Sequence, residues 1–341
     1  MRLKSRAGSA SLLVVLGALA AATATPATAA ETPKARDFEF TYKAGVTELP
    51  ADARKVDVWI PVPVSDDLQE VTVTGISTPV PYVITKDGRY GNSVLHFTVN
   101  APQQPEIAVE MNVRVRRRES LHHDLPAGLP ARPARSMPAD AAQWLKPDRL
   151  VPLDDRIKSL ARTVTEGQRT DLEKARAIYD YVEKTMSYDK SGTGWGNGDI
   201  YWACDAKRGN CTDFHALFIG LNRAVGIPAR FEIGFPIPGD RGQGEIAGYH
   251  CWAEFYLKGY GWVPVDASEA WKHPDRKEYF FGALDENRVQ LSIGRDVVLS
   301  PRQAGPPLNY FVYPYAEVDG KPYAKVAKSF AYKDVEAGAS R

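Results

Sequence analysis

The segment Gly209-Asn210-Cys211-Thr212-Asp213 has the grammar of a helix start, with Gly for the turn, Asn as N-cap and an acid at the third helical position reaching back. Cys211 then occupies the first helical position. Unsatisfied backbone N–H groups and the helix dipole favour a thiolate there over a thiol. The same N–H groups point to where an oxyanion would form on an attacked carbonyl, so one location supplies a nucleophile and part of an oxyanion hole. A buried structural cysteine is the commonest alternative for a free thiol. The polar flanks Asn210, Thr212 and Asp213 count against that.

A thiolate nucleophile needs an imidazole partner and a third group that orients the ring. The hairpin YHCWAEFYLKGYGWVPVDA supplies both. With Leu257-Lys258-Gly259 as a three-residue loop, Tyr256 faces Tyr260 and His250 lies opposite Asp266 on one face. A slip of one residue would separate them. His215 is a rival base, because it lies four residues after Cys211 and helical side chains lean toward the N-terminus. Nothing obvious orients its ring, so it reads as a packing residue behind the nucleophile.

These residues need elements to position them. From Asp37 to about Glu119 the segments FEFTYKAGV, KVDVWIPVPV, QEVTVTGI, PYVITKD, SVLHFTVN and IAVEMNVRVRR alternate like half-buried antiparallel strands and are separated by Pro, Gly, Asn and Asp. A run of strands without a helix predicts an antiparallel β-sandwich over residues 31–120. Residues 121–152 hold six prolines and no clear period, and they read as a linker over the surface. The pair His122-His123 within it has no acidic or thiol partner at ligand spacing and reads as solvated. Helical signals follow in RIKSLARTV, LEKARAIYDYVEKTM and the stretch from Cys211 to Ala224, and then strand signals in RFEIGFPI, YHCWAEFYL and GWVPVDAS. The fold class is therefore α+β, with the second domain over residues 153–341 including a C-terminal extension. The Gly-rich loop SGTGWGNGD lacks the Lys-Ser/Thr of a phosphate loop and reads as mobile. The aromatic tail NYFVYPYAEVDG reads as a strand packed on the core.

At the N-terminus Arg2, Lys4 and Arg6, an apolar run from Leu12 to Ala22 and the small residues up to Ala30 form the three-part layout of a secretory signal peptide, residues 1–30. The run is about half of the roughly 20 residues that cross a bilayer, so the mature chain is expected to lack a transmembrane segment and to be periplasmic or secreted. Lys and Arg total 43 against 42 for Asp and Glu, so no net field selects nucleic acid as a partner. The run Arg114, Arg116, Arg117, Arg118 reads as the end of a strand with a solvated face. No carboxylate loop suited to calcium and no metal-ligand spacing is present, and no cofactor is expected.

The blocks GNCTDFHALFIGLNRAVGIPARFEIGF, GYHCWAEFYL and GWVPVDASEA, in that order, resemble the bacterial transglutaminase-like superfamily. The resemblance covers about residues 150 to 270 and implies a papain-like α+β core, with Cys211 as nucleophile, His250 as general base and acid, and Asp266 as orienting carboxylate. It further implies an aromatic residue upstream of the cysteine that completes the oxyanion hole, for which Trp202 and Trp195 are the candidates. A Cys-His-Asp site forms a thioester from an amide, and the second nucleophile decides the outcome. Bacterial members of the superfamily look more like hydrolases, which implies a cysteine peptidase or amidase acting on a peptide or protein, including cell-envelope substrates. A cross-linking acyltransferase and a non-catalytic binding module on the same fold are the alternatives.

Three cysteines leave an odd thiol. Cys204 lies seven residues before Cys211, and Cys251 lies beside His250 but points to the opposite face of its strand. An assembled triad would bring those two into one neighbourhood, where an oxidising compartment would pair them. A Cys204–Cys251 disulfide is the resulting expectation, with Cys211 as the free thiol.

Overall fold

The computed structural model describes residues 32–122, 125 and 139–335. The expected leader and most of the proline-rich stretch lie outside the described residues, as does His123. Each predicted N-terminal strand forms: β1 (Ala35–Val46), β2 (Lys55–Val62), β3 (Gln69–Ser77), β4 (Val83–Lys86), β5 (Ser93–Asn100) and β6 (Ile107–Arg118), followed by the short β7 (Ser120–Leu121). Period-two alternation drives them, as β6 shows by burying Ile107, Val109, Met111, Val113 and Val115 on one face. The chain continues through α1 (Ala139–Ala142), α2 (Asp155–Val164), α3 (Asp171–Thr185), β8 (Ser187–Tyr188), α4 (Ile200–Ala206), β9 (Arg208–Gly209), α5 (Cys211–Ala224), β10 (Ala229–Pro236), β11 (Gln243–Glu245), β12 (His250–Leu257), β13 (Gly261–Val265), α6 (Ala267–Lys272), β14 (Ala283–Leu284) and β15 (Arg288–Ile293). It ends in β16 (Tyr315–Val318), β17 (Lys321–Pro322) and β18 (Val326–Asp334).

The last strands do not extend the second half of the chain. β18 pairs with β1 in the sheet β11-β18-β1-β6-β3, and β16 pairs with β2 in the sheet β17-β16-β2-β5-β4. The tail thus completes both N-terminal sheets. Sequence adjacency cannot reveal this, because antiparallel partners about 300 residues apart satisfy the same ladder as neighbours do. It also explains why β2 is buried on both faces. Trp59, on the face opposite Val58 and Ile60, is 2% exposed and packs with Val297, Leu299 and Phe311, its indole N–H donating to the Pro301 carbonyl at 2.8 Å.

Residues 139–152 are likewise not a surface strap. Trp144 and Val151 are buried, and Asp148 forms a buried 2.7 Å ion pair with Arg223 of α5. The third main sheet, β13-β12-β10-β15, is antiparallel and carries α5 on one face, with Phe218 of the helix against Phe255 of β12. Helix α5 is buried along nearly its whole length, the state of a central helix rather than a surface one.

Candidate active site

Asn210 caps α5 as its spacing predicts: its side chain accepts from the Thr212 N–H at 2.9 Å, and the Asp213 carboxylate accepts from the Asn210 N–H at 3.0 Å. Asp213 reaches further. Its oxygens also accept the N–H groups of Gly196 at 2.7 Å and Gly198 at 3.0 Å, so the Gly-rich loop is pinned to the helix start. Arg295 fastens the other side through the carbonyls of Gly198 and Asn197, each at 2.8 Å. The expectation of a mobile loop therefore fails, because a buried carboxylate and a buried guanidinium satisfy its backbone. Gly209, at φ +150°, has to be glycine: a Cβ would sit 2.2 Å from an Asp213 oxygen.

Cys211 stands at the first position of α5, 1% exposed. Its backbone N–H has no partner among the described residues and is the donor an oxyanion would use. His250, at the start of β12, lies beside the Cys211 thiol and meets Asp266 Oδ2 through Nε2 at 2.7 Å. The Nδ1 edge is thus the one left for sulfur. The hairpin register differs from the expected one by two residues: Ala253 opposes Val265 and Leu257 opposes Gly261, around the turn Lys258-Gly259-Tyr260 with Gly259 at φ +82°. A shift of two preserves the face, which is why His250 and Asp266 still meet. Asp266 is not a strand residue but the N-cap of α6. Its Oδ1 accepts from the Glu269 N–H and the Ser268 hydroxyl at 3.0 Å each, and its Oδ2 also receives Arg288 at 3.3 Å.

Electrostatics follow from this geometry. Burial opposes charge on all three groups, but their mutual contacts outweigh it. Asp266 and Cys211 push the His250 imidazole up to about 10. Hydrogen bonds from Cys251 and His250 hold the Cys211 thiol well below its usual range. His250 and the Arg288 guanidinium hold Asp266 far below the usual carboxylate range. These shifts favour a thiolate–imidazolium pair with the imidazolium against a carboxylate.

His215 takes the packing role. Its Nε2 accepts from the Ala267 N–H at 3.2 Å, so it carries no proton, and Nδ1–H donates to the Cys211 carbonyl at 2.8 Å. Burial lowers its pKa further. An unprotonated Nε2 at 3.7 Å from Asp266 Oδ1 makes no ion pair, and with both nitrogens committed the ring has no edge for the thiol.

The expected disulfide is absent: all three cysteines are free. Cys251 turns toward α5, where its thiol touches Cys211, Thr212 at 3.8 Å and His215 at 3.7 Å. Cys204 sits on α4 beside Arg156 and Tyr181. Strand alternation aims Cys251 at the nucleophile and not at α4. Neither tryptophan brings its indole N–H to the thiol. Trp195 donates to the Gly192 carbonyl at 3.1 Å, and Trp202 packs its ring against Gly194 and under Arg208. The aromatic neighbours of the site are residues that the motif reading missed. Tyr249 holds Asn210 and Thr212 at 2.9 and 2.8 Å through its hydroxyl, and Tyr188 is placed beside Gly209 by the parallel β8–β9 bridge. Tyr249 had a signal, since it directly precedes His250. Arg288 had none.

Residues 158–267 match the model of the Transglutaminase-like superfamily, and this segment of the chain belongs to it. An uncharacterized protein of Haemophilus influenzae is 28% identical over 319 residues, covering 84% of this chain and 86% of that one. The uncharacterized protein YebA of Bacillus subtilis is 24% identical over 136 residues, 36% of this chain and 18% of its own. Among solved structures, a candidate cysteine protease of Cytophaga hutchinsonii has the same fold with a TM-score of 0.58 at 16% identity, over 90% of this chain and 93% of that one. No helix among the described residues is long and apolar enough to cross a membrane.

Proposed function

We propose that this chain is an exported thiol enzyme that hydrolyses an amide bond of a peptide or protein, with Cys211, His250 and Asp266 as its triad. The observation that carries the reading is the buried line from the Cys211 thiol through the His250 ring to Asp266, at 2.7 Å on its second link. The Cys211 thiolate attacks the carbonyl carbon, and the free Cys211 N–H receives the oxyanion. Imidazolium Nδ1–H protonates the departing amine, leaving a thioester. The neutral ring then takes a proton from water as it attacks, and collapse releases the carboxylic acid and restores the thiolate. Asp266 keeps the ring in register throughout. Export rests on the charged, apolar and small-residue layout of residues 2–30.

The test is mass spectrometry of envelope-derived peptides, and of a glutamine-bearing peptide with an added amine, incubated with the chain or with Cys211→Ala. A gain of one water that needs Cys211 supports hydrolysis. Loss of ammonia with amine incorporation replaces it with cross-linking, and products formed equally by the variant refute the thiol site.

A further inference from the structure

Arg117 is the one member of the β6 arginine run that is not solvated. It falls in phase with Ile107, Val109, Met111, Val113 and Val115, on the inward face, and is 1% exposed. The flanking Arg114, Arg116 and Arg118 side chains are each 53% exposed. The other buried arginines among the described residues are matched, Arg223 by Asp148, Arg288 by Asp266 and Asp285, and Arg295 by Asn309 and two carbonyls, as is the half-buried Arg230 by Glu254 and Glu232. Arg117 has no carboxylate within 4.0 Å among the described residues. Its single hydrogen bond is a long one, Nη1 to Gln69 Oε1 at 3.5 Å, while Nε is buried with no partner and Nη2 has none either. A buried guanidinium left this way is costly, and natural sites supply it with an anion.

The same guanidinium lines a cavity of about 470 Å³ between the β3–β6 edge and β15, on the face of the third sheet that α5 does not cover. The volume is within the range of small-molecule sites. Glu232 and Glu254 also line it, but they are taken by Arg230 and by the Trp252 indole N–H at 2.6 Å. Asp66 stands at the exposed mouth. Its Oδ1 accepts the N–H groups of Leu68 and Gln69 at 2.7 and 2.8 Å, while Oδ2 has no partner. Asp66 and Arg117 feel one another's charge across the opening, yet they stay too far apart to pair. A cation site at the mouth and an anion site at depth, held apart, match the two ends of one small zwitterion.

We infer that this cavity binds a free α-amino acid, its carboxylate on the Arg117 guanidinium and its ammonium on Asp66. Trp262 and Val64 supply apolar wall for the side chain. The site lies apart from Cys211 and does not depend on the amide chemistry proposed above.

Titration calorimetry and thermal unfolding of the full chain carrying Cys211→Ala test it, so that turnover at the thiol cannot contribute. The probes are glycine, alanine, glutamine, leucine and phenylalanine, then the N-acetyl and C-amide derivatives of whichever binds, and inorganic phosphate. The expected result is saturable binding of a free amino acid, about ten- to a hundredfold weaker for either blocked derivative, since each loses one charge-assisted contact. Asp66→Asn and Arg117→Lys should weaken binding by a similar factor. Asp66→Asn, at an exposed position, keeps the test valid if the arginine variant fails to fold. Absence of binding by all five amino acids overturns the inference. Equal binding of the blocked derivatives, binding of phosphate only, or unchanged affinity in a folded Asp66→Asn chain overturns it as well.

Discussion

Along β12, Cys251, Ala253, Phe255 and Leu257 point toward α5, while Trp252, Glu254 and Tyr256 point to the other side of the sheet. On the helix side the buried surface is largely apolar, with Cys211, His215 and Cys251 gathered at the helix start and Asn222 and Arg223 at its end. On the far side charge is spread along the sheet: Glu232 and Glu254 around Arg230, Arg288 stacked 4.8 Å over Trp252, and Arg117 facing from β6. His250 is on the far side by parity, but it begins the strand and so reaches around the edge to the thiol. The comparison teaches that a packed apolar face holds a few reactive groups in one protonation state. A face of paired charges tolerates a cavity and an unmatched ion.

The following results would break or sharpen this contrast. The largest effect is expected of Cys211→Ala, which removes all amide turnover with an unchanged circular dichroism spectrum, since the side chain is small and its role covalent. His250→Ala should lower kcat by about 10⁴-fold or more. His215→Ala should act chiefly on stability, destabilising by about 1–3 kcal/mol because the Ala267 N–H and the Cys211 carbonyl lose their partner. A kcat loss for His215→Ala exceeding that for His250→Ala in steady-state assays would mean the base is misassigned. Asp266→Asn keeps the cap on α6 but lets the ring turn, so a residual rate about 10⁴-fold down is expected.

The next effect concerns ionisation. Because the Cys211 thiol is held well below its usual range, its thiolate persists as pH falls, and His250 stays charged until pH nears about 10. Iodoacetamide at pH 6 should alkylate Cys211 ahead of Cys204, the more exposed thiol but one whose pKa burial raises, by about a hundredfold in peptide mapping. Preferential labelling of Cys204 would show that exposure and not charge governs. The smallest effect belongs to the far face. Burial, then the charge of Glu254, pushes the Glu232 carboxyl up to about 7, from an ordinary value of 4.5. A raised pKa contributes stability that is full below the unfolded value and is lost as pH rises through about 7. Glu232→Gln should therefore flatten the fall in stability between pH 4.5 and 7 by at most ~3 kcal/mol, measured as urea midpoints across that range.

Much of this was legible in the residues themselves. The N-terminal strands, the helices α2, α3 and α5, the Asn210–Asp213 cap with Cys211 at the helix start, and the meeting of His250 with Asp266 all follow from local periodicity, capping and parity. Such rules act over a few residues, so the sequence determined them by itself. Tertiary structure alone decided that β16 and β18 close the N-terminal sheets, that Cys251 faces Cys211 and not Cys204, that Arg288 braces Asp266, and that Arg117 is buried with its Nε unsatisfied. The alternation in β6 places Arg117 in phase with the apolar residues, but only the opposing sheet shows whether a carboxylate waits there. Ladder pairing and ion matching are long-range conditions: any strand of suitable pattern could fill the place, and which one does depends on how the whole chain packs.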